Sequence, residues 1–148
     1  MAAYNWVETD VTSRMPGNAL RGGYDADGSH IYVGKAFHQG DWIPSKVIPI
    51  KNVAYVAYNG KEHAKNRVQV LCGPQHRFQW VSASNGRVPP CSIEGGKTST
   101  GEALYIGRVR HSGSQTVGKV HPTHGVCYIS FGGKEIPFKD YEILIMRG

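Results

Sequence analysis

The sequence predicts an all-β fold: a single pseudo-twofold-symmetric domain of two intertwined β-rich repeats, with little helix. Three observations lead to this prediction. The 148-residue chain contains 19 glycines, 8 prolines and 8 tyrosines, a composition typical of short strands joined by tight turns. Its second half repeats its first half. No window shows the 3.6-residue apolar spacing of an amphipathic helix.

The repeat is visible without gaps. Residues 22–71 align with residues 95–144 at a constant offset of 73, and 16 of the 50 aligned positions are identical. Each half is near the lower size limit for independent folding, so the halves are expected to share one core. The sequence therefore predicts one domain over residues 1–148, with repeat one at about 6–79 and repeat two at about 80–146.

Strand signals recur in matching places of the two halves. Short apolar runs with β-branched and aromatic residues predict strands, and they fall at residues 30–37, 53–58, 67–71, 78–81, 103–110, 126–131 and 141–146. Asn59-Gly60 and Gly132-Gly133 follow two of these runs and predict hairpin turns, because both residue types tolerate positive φ.

The halves differ most in two segments that are interpreted as turns. In the first, Asp25 and Asp27 of residues 22–28 are replaced by Thr98 and Thr100 in the second half. In the second, residues 40–46 and 113–119 have little in common except their first glycine and their last residue. That last residue is Lys46 in repeat one and Lys119 in repeat two.

A carboxylate facing an ammonium suits recognition of a vicinal diol, because one accepts hydrogen bonds and the other donates them. Trp42 or Tyr24 could cover the apolar face of a pyranose ring. A simpler interpretation remains open for Asp25 and Asp27: Asp is a common turn residue because it hydrogen-bonds its own backbone.

The duplicated motif resembles the DM-nine (DM9) repeat family. It runs from Trp6 to Ile145 and contains paired glycines, a Tyr-(Val/Ile)-Gly-(Lys/Arg) segment, a Lys-Val-x-Pro segment and a Gly-Lys-Glu turn. The resemblance is closest to two-repeat, mannose-binding lectins of invertebrates. It implies a β-rich pseudo-symmetric lectin-like fold, a homodimer and calcium-independent binding of mannose, mannan and microbial surface polysaccharide, with a role in innate immunity.

By the same resemblance, the sugar is held by Asp25 and Lys46, and Asp27, Trp42 and Lys119 are further candidates. Ser45 departs from the family, which usually has Gly before the lysine. Thr98 stands at the position that matches Asp25, so the resemblance implies that Lys119 serves a weaker second site or none.

Other function classes receive less support. The net charge of +6 is scattered along the chain, which disfavours nucleic acid, but a nucleic-acid or anionic-surface binding module is kept as an alternative. A glycosidase would have to use Asp25 and Asp27, an acidic pair in one turn, and no catalytic motif is present. The sequence predicts no enzyme and no cofactor; a non-catalytic protein-interaction domain is the other alternative.

Cysteine and histidine usage completes the sequence-based expectations. Three cysteines cannot all pair, and the N-terminus lacks the pattern of a secretory signal. No apolar run reaches the roughly 18 residues needed to span a membrane. We therefore expect a cytoplasmic protein, with non-classical release as a further route. His121, His124 and Cys127 are zinc-ligand types, but no second cluster completes a site, so no metal is predicted.

Overall fold

The computed structural model describes residues 3–148 and confirms the predicted all-β fold. The strands of repeat one are β1 (Asn5–Asp10), β2 (Arg21–Tyr24), β3 (His30–His38), β4 (Asp41–Ile48), β5 (Val53–Tyr58), β6 (Lys61–Lys65) and β7 (Arg67–Cys72). Those of repeat two are β8 (Phe78–Ser84), β9 (Glu94–Lys97), β10 (Ala103–His111), β11 (Ser114–His121), β12 (Val126–Phe131), β13 (Lys134–Phe138) and β14 (Asp140–Met146). The described helical segments are 3-10 turns at Pro49–Lys51, Gln75–Arg77 and Pro122–His124.

The sheet order reads the same from both ends once each strand is exchanged for its counterpart in the other repeat. The order is β1-β7-β3-β2-β11-β12-β13-β6-β5-β4-β9-β10-β14-β8. The two repeats meet where β13 pairs with β6, and each also inserts strands beside those of the other. The predicted pseudo-twofold symmetry and intertwining are therefore confirmed at the level of strand pairing.

Paired glycines make the close approach between repeats possible. β2 pairs with β11 through Tyr24 and Gln115, and β9 pairs with β4 through Lys97 and Trp42. A Cβ at Gly23 would lie 2.0 Å from the Gln115 carbonyl oxygen, and one at Gly96 would lie 2.1 Å from the Trp42 carbonyl oxygen. Any side chain there would force the repeats apart, which explains why both halves retain these glycines.

The interpretation of residues 40–46 and 113–119 as turns is wrong. The turns are confined to two residues, Gln39-Gly40 in repeat one and Ser112-Gly113 in repeat two, all four with positive φ. Two positive φ values match the right-handed twist of the flanking strands, so each hairpin closes at once. The following residues pair as strands, and the lysines therefore project from rigid strands.

The core is continuous across the repeats. A central cluster joins Leu20, Ile31 and Ile48 of repeat one with Ile106 and Leu144 of repeat two. Each repeat adds a cluster of its own on either side. Over residues 3–148 no helix is long and apolar enough to cross a membrane.

Candidate functional site

A buried lysine from β4 lies at the contact between the two repeats. Lys46 is 3% exposed; its Nζ donates a hydrogen bond to the carbonyl oxygen of Ser130 in β12 and lies 3.1 Å from Oε2 of Glu62. The rings of Tyr55 and Phe131 flank the ammonium, each centroid 5.5 Å away, which is within cation–π range. Repeat two thus supplies part of the surroundings of a repeat-one lysine.

The same arrangement recurs around Lys119 in β11. This lysine is 5% exposed; its Nζ donates to the Ala57 carbonyl oxygen at 2.7 Å and lies 3.0 Å from Oε2 of Glu135. The rings of Tyr58 and Tyr128 flank it at 5.7 and 5.4 Å. An ammonium carries three donors. The carbonyl takes one and the glutamate at most one more, so each lysine keeps a donor for another group.

Both glutamates also fasten the repeats together. Glu62 accepts a hydrogen bond from the Gly133 backbone N–H at 3.1 Å, and its own N–H donates to the Gly133 carbonyl at 3.0 Å. Glu135 makes the equivalent pair of bonds with Gly60, at 2.9 and 3.0 Å. Both glutamates form ion pairs with the buried strand lysines and not with the adjacent Lys61 and Lys134.

Asp25 lies in the turn between β2 and β3, where Lys51 holds it. Lys51 Nζ is 2.8 Å from Asp25 Oδ2 and 3.1 Å from Asp27 Oδ2. Burial raises the pKa of Asp25, but hydrogen bonds from Lys51 and the Ala26 N–H, with the charges of Lys51 and Lys46, outweigh it and leave the pKa lowered. Lys51 is therefore the direct partner of Asp25, and the charge of Lys46 makes the smallest of these contributions.

Asp27 is more strongly acidic. Hydrogen bonds from Ser29, and then from Lys51, lower the pKa of Asp27 to about 2. Both carboxyl groups of the turn are consequently ionised at neutral pH. A glycosidase needs one carboxyl that remains protonated as the general acid, and this pair does not provide one.

A pocket opens above Lys119, with a volume of about 370 Å³. It is lined by Asp41, Tyr58, Asn59, Gly60, Lys119, His121, His124, Tyr128 and Glu135. Such a volume is within the range of small-molecule sites. Asp41 belongs to β4 of repeat one, and its Oδ1 accepts a hydrogen bond from the Ser99 N–H at 2.8 Å. Asp41 thus lies beside the turn in which Thr98 replaces Asp25.

Two imidazole rings form one wall of this pocket. His121 and His124 stack with centroids 3.5 Å apart and an interplanar angle of 10°. His121 Nδ1 lies 3.3 Å from Glu102 Oε2, and His124 Nδ1 lies 2.9 Å from the Tyr128 hydroxyl. Burial, followed by the charge of His124, lowers the pKa of His121. That imidazole is therefore neutral at pH 7.

The structure does not bring Trp42 to Lys46. Its ring lies edge-on to Phe37 at 5.4 Å and lines a separate cavity of about 460 Å³ together with Glu8 and Arg67. Tyr24, the other aromatic candidate, is 40% exposed and borders a further cavity that includes Arg108. The aromatic rings beside Lys46 are instead those of Tyr55 and Phe131.

Ser45, the departure from the family pattern, is fully buried in β4. Its hydroxyl donates a hydrogen bond to the Tyr55 carbonyl at 3.1 Å. At the equivalent Gly118, a Cβ would lie 2.1 Å from the Tyr128 carbonyl oxygen. β4 and β5 therefore leave room for a side chain that β11 and β12 exclude, and the serine hydroxyl uses this room to bond the neighbouring strand.

The histidines and cysteines show packing roles. His38 packs against Tyr58 and His63, and His111 packs against Phe131 and Phe138. Cys127 is buried, and burial raises the pKa of its thiol. Residues 3–148 contain no group of three or more His, Cys, Asp and Glu side chains arranged to hold a metal ion.

Sequence reasoning missed Glu62, Phe131 and the residues around Lys119 as parts of candidate sites. One signal was available: Lys, Tyr and Glu are identical between the halves at 46/119, 55/128 and 62/135, and these residues form the two buried clusters. The contributions of Phe131 and Asp41 come from the opposite repeat. No comparison within one repeat could have placed them.

Comparisons with known proteins find a relative in sequence and a solved structure with a similar fold. Natterin-3 of Thalassophryne nattereri is 26% identical over 95 residues, covering 63% of this chain and 24% of that protein. The crystal structure of the nematode sperm cell motility protein MFP2B superposes with a TM-score of 0.68 at 12% identity, over 97% of this chain and 47% of that one. The chain thus spans about a quarter of the first and half of the second. The DM9 repeat model matches residues 25–138, and the chain belongs to the DM9 repeat family.

Proposed function

We propose that this protein is a calcium-independent lectin that binds mannose-type glycans, including mannan on microbial surfaces, as a recognition protein of innate immunity. One pair of groups carries the proposal: the Lys46 ammonium, buried between the repeats, keeps a free donor, and the Asp25 carboxylate, bonded to Lys51, is an ionised acceptor. A donor and an ionised acceptor in this relation can bind two neighbouring hydroxyls of one sugar.

The surroundings of Lys46 favour a neutral sugar over an anion. The site has two ammonium groups, those of Lys46 and Lys51, and three carboxylates close to them, those of Glu62, Asp25 and Asp27. The carboxylates therefore outnumber the ammonium groups. An anionic ligand would meet net negative charge there. Hydroxyl groups, by contrast, can donate to these carboxylates and accept from Lys46 without a change in charge.

Calcium has no role in this proposal, since the sugar would bind directly to side chains. A single shallow sugar site binds weakly, so a homodimer would raise avidity for a polyvalent glycan by presenting several sites together. The same reasoning supports a surface polysaccharide as the natural ligand.

Isothermal titration with methyl α-D-mannopyranoside, with and without a chelator, tests the proposal. We expect binding that the chelator leaves unchanged and that Asp25→Asn weakens at least tenfold. Thr98→Ala, the same position in repeat two, is the matched control and should leave this affinity unchanged. Absence of binding by the wild type would overturn the proposal, and unchanged binding by the Asp25→Asn variant would overturn the assignment of Asp25 and Lys46 as the site.

Salt dependence separates a sugar from a polyanion. Contacts with phosphate groups weaken steeply as salt rises, whereas binding of a neutral sugar is nearly insensitive to salt. We expect the affinity for the mannoside to change by less than about twofold between 50 and 500 mM NaCl. Tight, salt-sensitive binding to a nucleic acid or an anionic vesicle, without sugar binding, would favour the alternative.

A further inference from the structure

The pocket above Lys119 differs from the surroundings of Lys46 at four rim positions. His121 and His124 replace Ile48 and Lys51, Thr98 replaces Asp25, and Asp41 stands where repeat two has Ser114. The buried base is unchanged. If the repeat-two site had been lost through the replacement of Asp25 by Thr98, no carboxylate would remain at its rim. The pocket has one, that of Asp41.

The carboxylate that Thr98 lacks is supplied by the other repeat. Asp41 is 8% exposed and is anchored through Oδ1 to the Ser99 N–H. Its second oxygen has no hydrogen-bond partner among residues 3–148. The pocket thus contains a fixed acceptor at its rim and the Lys119 ammonium, with a free donor, at its base.

The Glu135 carboxylate is a second acceptor that lines this pocket. Its side chain is 9% exposed; its Oε1 accepts a hydrogen bond from the Gly60 N–H, and its Oε2 lies 3.0 Å from Lys119 Nζ, an ion-pair contact out of hydrogen-bonding geometry. Buried polar atoms are usually hydrogen-bonded, because each one left without a hydrogen bond costs free energy. Oε2 is thus paired in charge with Lys119 and keeps the capacity to accept a hydrogen bond from a ligand.

The walls of the pocket suit the apolar face of a ring. The stacked imidazoles of His121 and His124 form one flat surface, and Tyr58 and Tyr128 lie around Lys119. Two acceptors, one donor and flat aromatic walls match a pyranose, which has hydroxyls at its edge and C–H groups on its faces. Asp41 and Glu135 against Lys119 leave no excess positive charge for an anion.

We propose that the pocket formed by Asp41, Lys119, Glu135 and the His121–His124 stack is a second binding site for a neutral pyranose sugar, so that one chain is bivalent. This inference rests on the proposed lectin function but concerns a different site. It assigns Asp41 and Glu135 as acceptors, Lys119 as donor and the histidine stack as the surface on which the sugar ring lies.

Nuclear magnetic resonance tests the second site directly. Methyl α-D-mannopyranoside is titrated into the full chain at pH 7.5 while the imidazole signals of His121 and His124 and the backbone signals of Asp25 and Ala26 are followed. We expect both sets to shift, each with its own saturation curve. Asp41→Asn should remove only the imidazole response, and Asp25→Asn only the response of the first turn.

The matched control is Ser114→Ala, the position of Asp41 in repeat two, which should leave the response of the histidines unchanged. Asn at position 41 can still accept the Ser99 hydrogen bond, so folding is preserved, and unchanged backbone spectra verify this. If sugar shifts only the first turn, the second site is overturned while the lectin function stands. If sugar shifts neither set, both proposals fail.

A response confined to the histidines and abolished by Asp41→Asn would support the second site and overturn the assignment of Asp25 and Lys46. Two responses that both persist in Asp41→Asn would overturn the role of Asp41 and with it the proposed site. Each outcome therefore shows whether the sugar binds at Asp25 and Lys46, in the pocket above Lys119, at both or at neither.

Discussion

The two lysine sites, the first around Lys46 and the second in the pocket above Lys119, share a base and differ at the rim. In both, a buried lysine meets a glutamate and two aromatic rings where the repeats touch. Around Lys46 the rim is charged, with Asp25 held by Lys51; around Lys119 it consists of stacked histidines and Asp41. The comparison teaches that duplication preserved the buried base, which holds the repeats together, and left the exposed rim free to change its chemistry.

The largest effect is expected from breaking the shared base. Lys46→Met and Lys119→Met each leave a buried glutamate without its cation, which typically costs about 3 kcal/mol or more. Urea unfolding should show a similar loss in both variants, because the clusters are pseudo-symmetric. Lys134→Met, an exposed lysine beside Glu135, is the control and should change stability by less than about 0.5 kcal/mol. Equal losses in all three variants would contradict the structural role of the buried pair.

A smaller loss is expected at the glycines that let β2 and β9 approach the opposite repeat. Gly23→Ala and Gly96→Ala place a methyl group against a backbone carbonyl, and overpacking of this kind costs about 1–3 kcal/mol. Gly17→Ala is the matched control, since no atom lies within 4 Å of a Cβ there. If Gly23→Ala unfolded at the same urea concentration as Gly17→Ala, the tight contact between repeats would be refuted.

The sequence was sufficient to predict the architecture, because a repeat with constant offset forces equal strands into equivalent places. The runs at residues 30–37 and 126–131 lie within β3 and β12 as predicted. The prediction failed at β4 and β11, because residues 40–46 and 113–119 were interpreted as turns. These strands are buried at the contact with the other repeat, so their environment depends on pairing that a single repeat does not encode.

The candidate site was predictable in its chemistry but not in its contacts. The retained lysines and glutamates were visible at offset 73, yet their neighbours Phe131 and Asp41 come from the other repeat. The partner of Asp25 is Lys51, on a 3-10 turn 26 residues away. Only the folded arrangement brings that turn beside the first one, so spacing along the chain could not select Lys51 over Lys46.

The two lysine sites should differ in how their sugar affinity depends on pH. Burial and the nearby charge of His124 lower the pKa of His121, and Lys119, Asp41 and Glu102 also face this ring, with Tyr128 against it. Protonation of His121 would place a positive charge against the ring stacked 3.5 Å away and near the Lys119 ammonium. Sugar affinity of the second pocket should therefore be full at pH 7.5 and fall about tenfold as the pH drops through the lowered pKa, roughly 1.4 kcal/mol.

The sugar affinity of the first site, around Lys46, should not follow this profile, since Asp25 has a lowered pKa and Lys51 a raised one. Its affinity should be flat between pH 5 and 8. The double variant His121→Ile/His124→Lys gives the second site the residues found at positions 48 and 51 of the first site. Sugar affinity should then be independent of pH at both sites. A second pocket whose affinity stays constant down to pH 4.5 would show that the histidine stack does not contact the sugar.

The smallest effect is expected at the rim of the first site, where Lys51 lowers the pKa of Asp25. Burial alone raises the pKa of Asp25, and Lys51 is the main opposing group; Asp27 is held low first by Ser29 and only then by Lys51. Lys51→Met should therefore raise the pKa of Asp25 to its ordinary value or above, while Asp27 stays low. Carboxyl ¹³C titration measures both groups in one experiment.

The sign of the linked stability change follows from the direction of the shift. A lowered pKa in the folded state stabilises the protein above the ordinary pKa of about 3.9, and this stabilisation is lost as the pH falls through the folded value. Lys51→Met should remove it for Asp25, at a cost below about 1 kcal/mol because the lysine is substantially exposed. Lys61→Met, an exposed lysine away from this turn, should leave Asp25 unchanged. An Asp25 pKa that did not move in Lys51→Met would contradict the role of Lys51 and assign the control of Asp25 to its hydrogen bond with the Ala26 N–H and to the charge of Lys46.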